Sequence, residues 1–337
     1  VKTIAIDMHA HALIGKAEDI ARQQERWRRE TQEAARLTGK ESAEHNQRLM
    51  QTAYLAGLTR VEARLASMDA AGIDVQAVSP VPMQYHYWAE RAVAEEIVAA
   101  TNSGIAAICA GHPDRFAGLG SVAMQFPELA ADQLEHAMRE LRLKGVIIST
   151  AVNGAELADP RFEVFWARAE ALGAVVFIHP MGCSLGARLI PYYFSNVIGN
   201  PAETTVALAH LIFSGMFDRH PKLKVVAAHG GGYFPFYTAR FDHGWRVRPE
   251  AHTCASAPSS YLKKIWFDSL VYQPEQLEYL IRRAGAASVV LGTDFPFDMG
   301  IEDPIALLNS VAGLSADDRA LIRGGNAARL LSISAGG

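Results

Sequence analysis

Apolar and β-branched residues gather in eight short runs, near 4–8, 74–79, 116–122, 144–148, 174–179, 223–229, 264–269 and 287–293. Each gives way to a loop and then to a segment whose apolar residues recur at helical spacing, as at 60–71, 88–109, 128–142, 160–172, 202–216, 274–284 and 303–311. Short continuous apolar runs bounded by turns read as buried strands, and their alternation with helices reads as a parallel sheet. Eight such units in 337 residues predict a (β/α)8 barrel, one domain over 1–337, with a doubly wound open sheet as its rival.

The polar residues that end these runs favour the barrel. His9 and His11 close the run Ile4-Ala5-Ile6-Asp7-Met8, His179 closes Phe-Ile-His-Pro, His229 opens His-Gly-Gly-Gly, and Asp294 lies in Gly-Thr-Asp-Phe-Pro-Phe. Residues i and i+2 of a strand point to one side, so His9 and His11 can hold one ion together. In a barrel the C-terminal ends of all strands meet on one face, whereas the first and eighth strands of an open sheet stay apart. Any one of these side chains reads equally well as a buried structural residue. The whole set reads as a metal enzyme.

The segment 13–59 breaks the alternation. Arg22, Arg26, Arg28, Arg29, Arg36 and Arg48 interleave with acidic residues, and Glu18/Arg22 and Glu25/Arg29 have the i, i+4 spacing of a solvated helix. It is expected to be a charged helical insertion after strand one. A sharper alternative makes it a lid, with Arg48 reaching a substrate carboxylate.

Composition narrows the partners. Half of the residues are hydrophobic and the net charge is only −4, with no block of like charge, which predicts neither nucleic acid nor an anionic membrane as partner. A small polar or anionic substrate fits. No apolar stretch is expected to approach the roughly 20 residues of a membrane span, and a first strand beginning by Ile4 predicts no signal peptide and a cytoplasmic location. Cys109, Cys183 and Cys254 are odd in number and far apart, so packing is expected rather than disulfides, although Cys183 follows His179 closely enough to face the same pocket.

The set His9-x-His11, His179-Pro180, His229-Gly-Gly-Gly and Gly292-Thr293-Asp294-Phe-Pro-Phe resembles the amidohydrolase superfamily, most of all its 2-amino-3-carboxymuconate-6-semialdehyde decarboxylase branch. Met68-Asp69-Ala70-Ala71-Gly72-Ile73-Asp74, Pro201-Ala202-Glu203-Thr204 and Gly325-Asn326-Ala327 extend the likeness over nearly the whole chain, with 13–59 the least alike. The resemblance implies His9, His11, His179 and Asp294 as ligands of one Zn2+ per chain, or of another divalent ion such as Mn2+. It implies His229 as the catalytic acid/base group. It also implies a homodimer, in which Arg240 reaches the neighbouring subunit's site to hold a substrate carboxylate. Binuclear members of the superfamily carry a bridging lysine at the end of strand four, where this chain reads Ile147-Ile148-Ser149-Thr150, so a single metal is expected.

A bound Zn2+ brings the pKa of water to about 7. The expected reaction is therefore water addition to an electron-poor carbon, protonation beside it with help from His229, and loss of CO2. Asp294 either serves as ligand only or also carries a proton. Asp268, on strand seven, either orients a ligand histidine or is a buried structural carboxylate. Phe297, Trp88, Phe295, Tyr85 and His86 are candidates to wall the pocket, with core packing as the competing reading. Met181 stands where relatives carry tryptophan after His-Pro, Tyr192 and Tyr193 stand where another bulky aromatic is expected, and Arg48 is the candidate for the family's first substrate arginine. These departures widen the substrate class from carboxymuconate semialdehydes to hydroxybenzoates. A hydrolase or hydratase on the same barrel, and a metal-binding barrel without turnover, are the rival functions.

Overall fold

A computed structural model describes residues 4–333, so the expected domain ends at 1 and 337 lie outside the described residues. Eight strands follow the predicted runs: β1 (Ile6–Ala12), β2 (Val75–Pro80), β3 (Phe116–Gly118), β4 (Gly145–Ile148), β5 (Val175–Ile178), β6 (Lys224–Ala227), β7 (Ile265–Asp268) and β8 (Val289–Val290). Parallel ladders join β1 to β2 to β3, and β4 through β8 in chain order. Single parallel bridges close both seams. Gly120 pairs with Val146 between β3 and β4, while Asp7 with Leu291 and Ala10 with Phe295 join β1 to the end of β8. The second seam carries backbone hydrogen bonds from Met8 N to Leu291 O at 2.9 Å and from His11 N to Phe295 O at 2.8 Å. The sheet is thus a ring, which brings the first and last strands together as a barrel requires and an open sheet does not.

Four helices fill the insertion, α1 (Gly15–Arg22), α2 (Glu25–Thr38), α3 (Lys40–Leu49) and α4 (Ala53–Thr59). Helices α2 and α3 bury no residue, and the predicted Glu18–Arg22 and Glu25–Arg29 pairs form along the solvated faces. The remaining helices are α5 (Val61–Ala70), α6 (Arg91–Gly111), α7 (Pro127–Arg139), α8 (Glu163–Leu172), α9 (Asn200–Phe213), α10 (Met216–Arg219), α11 (Phe234–Val247), α12 (Pro274–Ala284), α13 (Pro304–Ser310), α14 (Ala316–Ala320) and α15 (Asn326–Leu331). Helix α12 shows why they form where they do. Proline opens its first turn, Arg282 and Arg283 face the negative end of its dipole, and Leu277, Leu280 and Ala284 make its buried stripe. A two-residue antiparallel hairpin, Ala151–Val152 with Ala155–Glu156, beyond β4, was not expected.

One expectation needs correction. Helix α6, at 21 residues, is long and apolar enough by length and composition to cross a membrane. In the fold it packs on α1 and β3, burying Ala94, Ile97, Val98 and Ile105. Its Asn102 is buried too. The Asn102 amide donates to Ser121 O at 3.0 Å and accepts from Ser121 N at 2.7 Å, fixing the chain just past the β3–β4 seam. Replacing Asn102 with alanine strands two buried backbone groups, so Asn102→Ala is expected to cost about 2 kcal/mol or more in urea unfolding. An unaltered midpoint would show that the seam does not depend on this amide.

Candidate active site

Strand β1 carries one extra residue against β2, since Asp7 pairs with Gln76 but Ala10 with Val78. This bulge lies beside His9, the kind of place where a bulge re-aims a side chain. His9 and His11 are fully buried, and their Nε2 atoms stand 3.1 Å apart. His179, just past β5, brings its ring centroid to 5.0 Å from that of His9 and 4.9 Å from that of His11. From the turn after β8, Asp294 Oδ1 lies 3.2 Å from both His9 Nε2 and His11 Nε2. His229, just past β6, places Nε2 at 3.7 Å from Asp294 Oδ2. All five predicted residues therefore meet in one spot.

Hydrogen bonds at the far side of each ring decide the tautomers. His9 Nδ1 donates to Asp268 Oδ2 at 2.7 Å, His11 Nδ1 to Pro80 O at 3.3 Å, and His179 Nδ1 to Pro180 O at 2.9 Å. With the proton on Nδ1, each Nε2 presents a lone pair to the centre. His179 Nε2 and Asp294 Oδ1 are buried there without a hydrogen-bond partner. Acceptors so close repel one another unless positive charge sits among them. Where no cation is bound, a proton supplies that charge: burial opposes a charged His9, yet Asp294 and Asp268 outweigh it and push its pKa up to about 10. Burial, with the neighbouring histidines, holds His179 well below its usual range. The Asp294 carboxyl, despite burial, lies well below its own, drawn down by His9 and by the neighbouring His11 and His229. Three imidazole nitrogens and one carboxylate form a mixed donor set that suits a divalent metal.

His229 differs from the other three. Its Nδ1 is buried with no hydrogen-bond partner among the described residues. The donor atoms of His9, His179, His229 and Asp294 all lie within 4.8 Å of one another, so His229 stands at ligand range as well. Its backbone has φ 54°, and Gly230, Gly231 and Gly232 follow at 60°, 78° and 64°, a left-handed run that only glycines adopt without strain. Asp268 holds this turn, accepting from His229 N at 2.9 Å and Gly230 N at 2.8 Å. The fully buried Asp268 thus orients a ligand-type histidine, one of the two roles expected for it.

A cavity of about 430 Å3 opens beside His229. Val197, Phe236, Leu270, Val271 and Met299 give it apolar walls, and Asn196 and Gln276 add amides. Phe297 packs edge-on against His11 at 5.3 Å and Tyr54 at 5.8 Å, beside the cluster rather than in the cavity. Trp88 packs edge-on against His86 at 5.4 Å and does not line the cavity, and the Tyr85 hydroxyl donates to His179 O at 3.1 Å. Arg48 is exposed and, among the described residues, makes no ion pair; one turn before it on α3, His45 lies 3.4 Å from Asp298 Oδ2 in the turn after Asp294. Arg240 is exposed on α11 and likewise unpaired among the described residues. Ser149 and Thr150 are buried at the end of β4, with Lys144 at its opposite end. Burial raises the Cys183 thiol, which agrees with packing rather than a thiolate.

Fold and donors together define a metal-dependent barrel enzyme, its site built on the C-terminal ends of the strands. The chain belongs to the amidohydrolase family, whose model matches residues 6–333. It is similar to the 2-amino-3-carboxymuconate-6-semialdehyde decarboxylase of Dictyostelium discoideum, 38% identical over 274 residues, covering 81% of this chain and 76% of that one. The gamma-resorcylate decarboxylase of Rhodococcus jostii is 29% identical, over 81% and 87% of the two chains. Among solved structures, 5-carboxyvanillate decarboxylase LigW from Sphingomonas paucimobilis superposes with a TM-score of 0.83 at 25% identity, covering 99% of this chain and 100% of that one. The 5-carboxyvanillate decarboxylase of Novosphingobium aromaticivorans, complexed with manganese and 4-hydroxy-3-methoxy-5-nitrobenzoic acid, has a TM-score of 0.81 at 22% identity over 98% and 96%.

Because Asp268 fixes the His9 tautomer, Asp268→Ala is expected to weaken divalent-metal affinity about 10- to 100-fold, measured by chelator competition. Affinity equal to wild type would show that His9 keeps its orientation without the carboxylate.

Proposed function

We propose that this protein is a metal-dependent, non-oxidative decarboxylase of an aromatic or ring-cleavage carboxylic acid. The observation that carries the reading is His229, whose ring borders both the donor cluster and the cavity and whose Nδ1 has no protein partner. His9, His11, His179 and Asp294 are the proposed ligands, since three rings are locked with Nε2 lone pairs inward, whereas His229 is left free to exchange a proton. Zn2+ is the proposed ion because the donors are mainly imidazole, with Mn2+ the alternative that the Novosphingobium relative contains.

When bound, the divalent ion supplies Lewis acidity that polarises substrate oxygens and activates water. The chain supplies the rest. The apolar walls hold the substrate ring and exclude bulk water, which strengthens every charge interaction inside. The bond between the ring carbon and the carboxylate breaks, its electron pair stays on that carbon, and a proton replaces the lost CO2 there. His229 donates this proton, with Asp294 beside it able to stabilise the imidazolium that precedes the transfer. Phe297 walls the site beside His11.

The same proposal makes the protein a cytoplasmic homodimer in which Arg240 holds a carboxylate in the neighbouring site by a bidentate contact. Tyr233, Tyr237 and Val247 are 44%, 61% and 54% exposed at helical spacing around Arg240 on α11, an apolar stripe suited to a partner subunit. A hydrolase or hydratase is the less favoured reading, because the relatives named above are decarboxylases.

The deciding assay is CO2 release by the metal-loaded protein from a panel of carboxymuconate semialdehydes and hydroxybenzoates. Release names the substrate class; water addition with the carboxylate retained would sink the proposal in favour of a hydratase. His229→Ala is expected to retain its metal while turnover falls about 100-fold or more. Loss of the metal instead would make His229 a ligand. Arg240→Ala is expected to raise KM with metal content unchanged, and unaltered kinetics would remove it from the site.

A further inference from the structure

Beneath the donor cluster lies a second buried polar group that the reaction does not use. Arg64, on α5, is only 2% exposed, although among the described residues it has no carboxylate in direct contact. Its guanidinium donates to Gln76 Oε1 at 2.7 Å, to Gly57 O at 3.2 Å and, in a short contact, to His11 O, and lies 5.0 Å above the Phe295 ring. Gln76 Nε2 passes the contact on to Asp7 Oδ2 at 2.8 Å. The fully buried Asp7 then accepts from His9 N at 3.0 Å, Thr293 N at 3.0 Å and the Thr293 hydroxyl at 2.6 Å. Thr293 Oγ1 in turn accepts from Phe295 N at 3.1 Å.

Apart from the bond to Gly57 O, each end of this chain of contacts falls on the backbone of a proposed ligand or its neighbour. His11 is held at its carbonyl, His9 at its N–H, and Asp294 on both sides, at Thr293 and Phe295. Asp294 needs such support, because its φ of 60° is a left-handed conformation that costs about 1–3 kcal/mol in a non-glycine residue and persists only where surroundings over-determine it. A buried arginine costs more than a neutral residue of similar volume would, so stability alone is a poor reason for one here. What its fork offers is several donors at fixed angles, reaching β1, β2 and the insertion at once.

We propose that Arg64, Gln76, Asp7 and Thr293 are positioning residues that set the backbone of His9, His11 and Asp294 for metal binding, and that Arg64 joins the insertion to the site through Gly57. The inference rests on the ligand assignment above. Gly57 sits where an added Cβ would come within 2.8 Å of Pro296 and 3.0 Å of Phe295, so α4 lies directly against the turn that carries Asp294.

The test uses metal-stripped protein and Zn2+, with affinity read by competition against a chromophoric chelator and Tm read on the same stripped samples. Arg64→Lys keeps the charge and loses the fork; Thr293→Val keeps the shape and loses the hydroxyl; Thr293→Ser keeps the hydroxyl. Weakening of Zn2+ binding by about 10- to 100-fold in the first two, with affinity near wild type in Thr293→Ser, supports the inference. A lower Tm of the stripped variants with unaltered Zn2+ affinity would reduce the group to a structural one and overturn it. Should Arg64→Lys not fold, the Thr293 pair decides alone. Wild-type protein that takes up no Zn2+ would overturn the ligand assignment itself, and this inference with it.

Discussion

Three imidazole lone pairs and a carboxylate oxygen are aimed at one another inside a barrel, and the rest of the site follows from the need to hold them there. Two Nε2 atoms at 3.1 Å repel when both carry lone pairs. The protein holds the rings from behind, fixing each Nδ1 against an acceptor: a carboxylate for His9 and backbone carbonyls for His11 and His179. Such outward bonds determine both ring angle and proton position, which is why a cation-ready cluster can stand in a fully buried place. A divalent ion held among His9, His11, His179 and Asp294 would relieve the repulsion.

Two residues of the cluster also carry backbone strain. Asp294 and His229 both have positive φ, at 60° and 54°. Each follows a strand end directly or within a few residues, where an extended path would carry the side chain past the centre; the left-handed turn directs it inward instead. The strain is balanced by hydrogen bonds from different strands, Asp294 N to His9 O at 2.8 Å and the Asp268 carboxylate on the His229 turn. The β1–β8 seam is therefore part of the site as well as of the barrel. Had the sheet stayed open, the His9 carbonyl would not lie beside Asp294.

Much of this was legible in the sequence. Eight apolar runs marked all eight strands, and their terminal polar residues marked the cluster, because buried strands admit few polar side chains and those few stand out. The pattern that hid the remainder is equally physical. Arg64 falls in a helical stretch among Glu62 and Asp69, where an arginine ordinarily faces water, and nothing local distinguishes one that turns inward. Asp7 and Gln76 did leave a signal, as polar residues inside otherwise apolar strand runs, yet their partners lie 286 and 12 residues away. Trp88, a candidate pocket wall with core packing as the competing reading, packs against His86, whose φ is 45°.

Asp268 shows how the two halves of the site are made interdependent. One of its oxygens is shared between His9 Nδ1 and His229 N, and the other accepts from Gly230 N and Leu270 N. The orientation of the His9 ring and the backbone of the His229 turn are therefore set by one rigid group on β7. Neither can shift without lengthening a hydrogen bond to the other's support, and in a dry interior a lost bond to a carboxylate is expensive. An enzyme that must deliver a proton to a carbon held near a metal has to keep the distance between donor and metal constant. A single buried carboxylate serving both is a direct way to build that constancy into the barrel, and it leaves the cavity beyond His229 free to vary with the substrate.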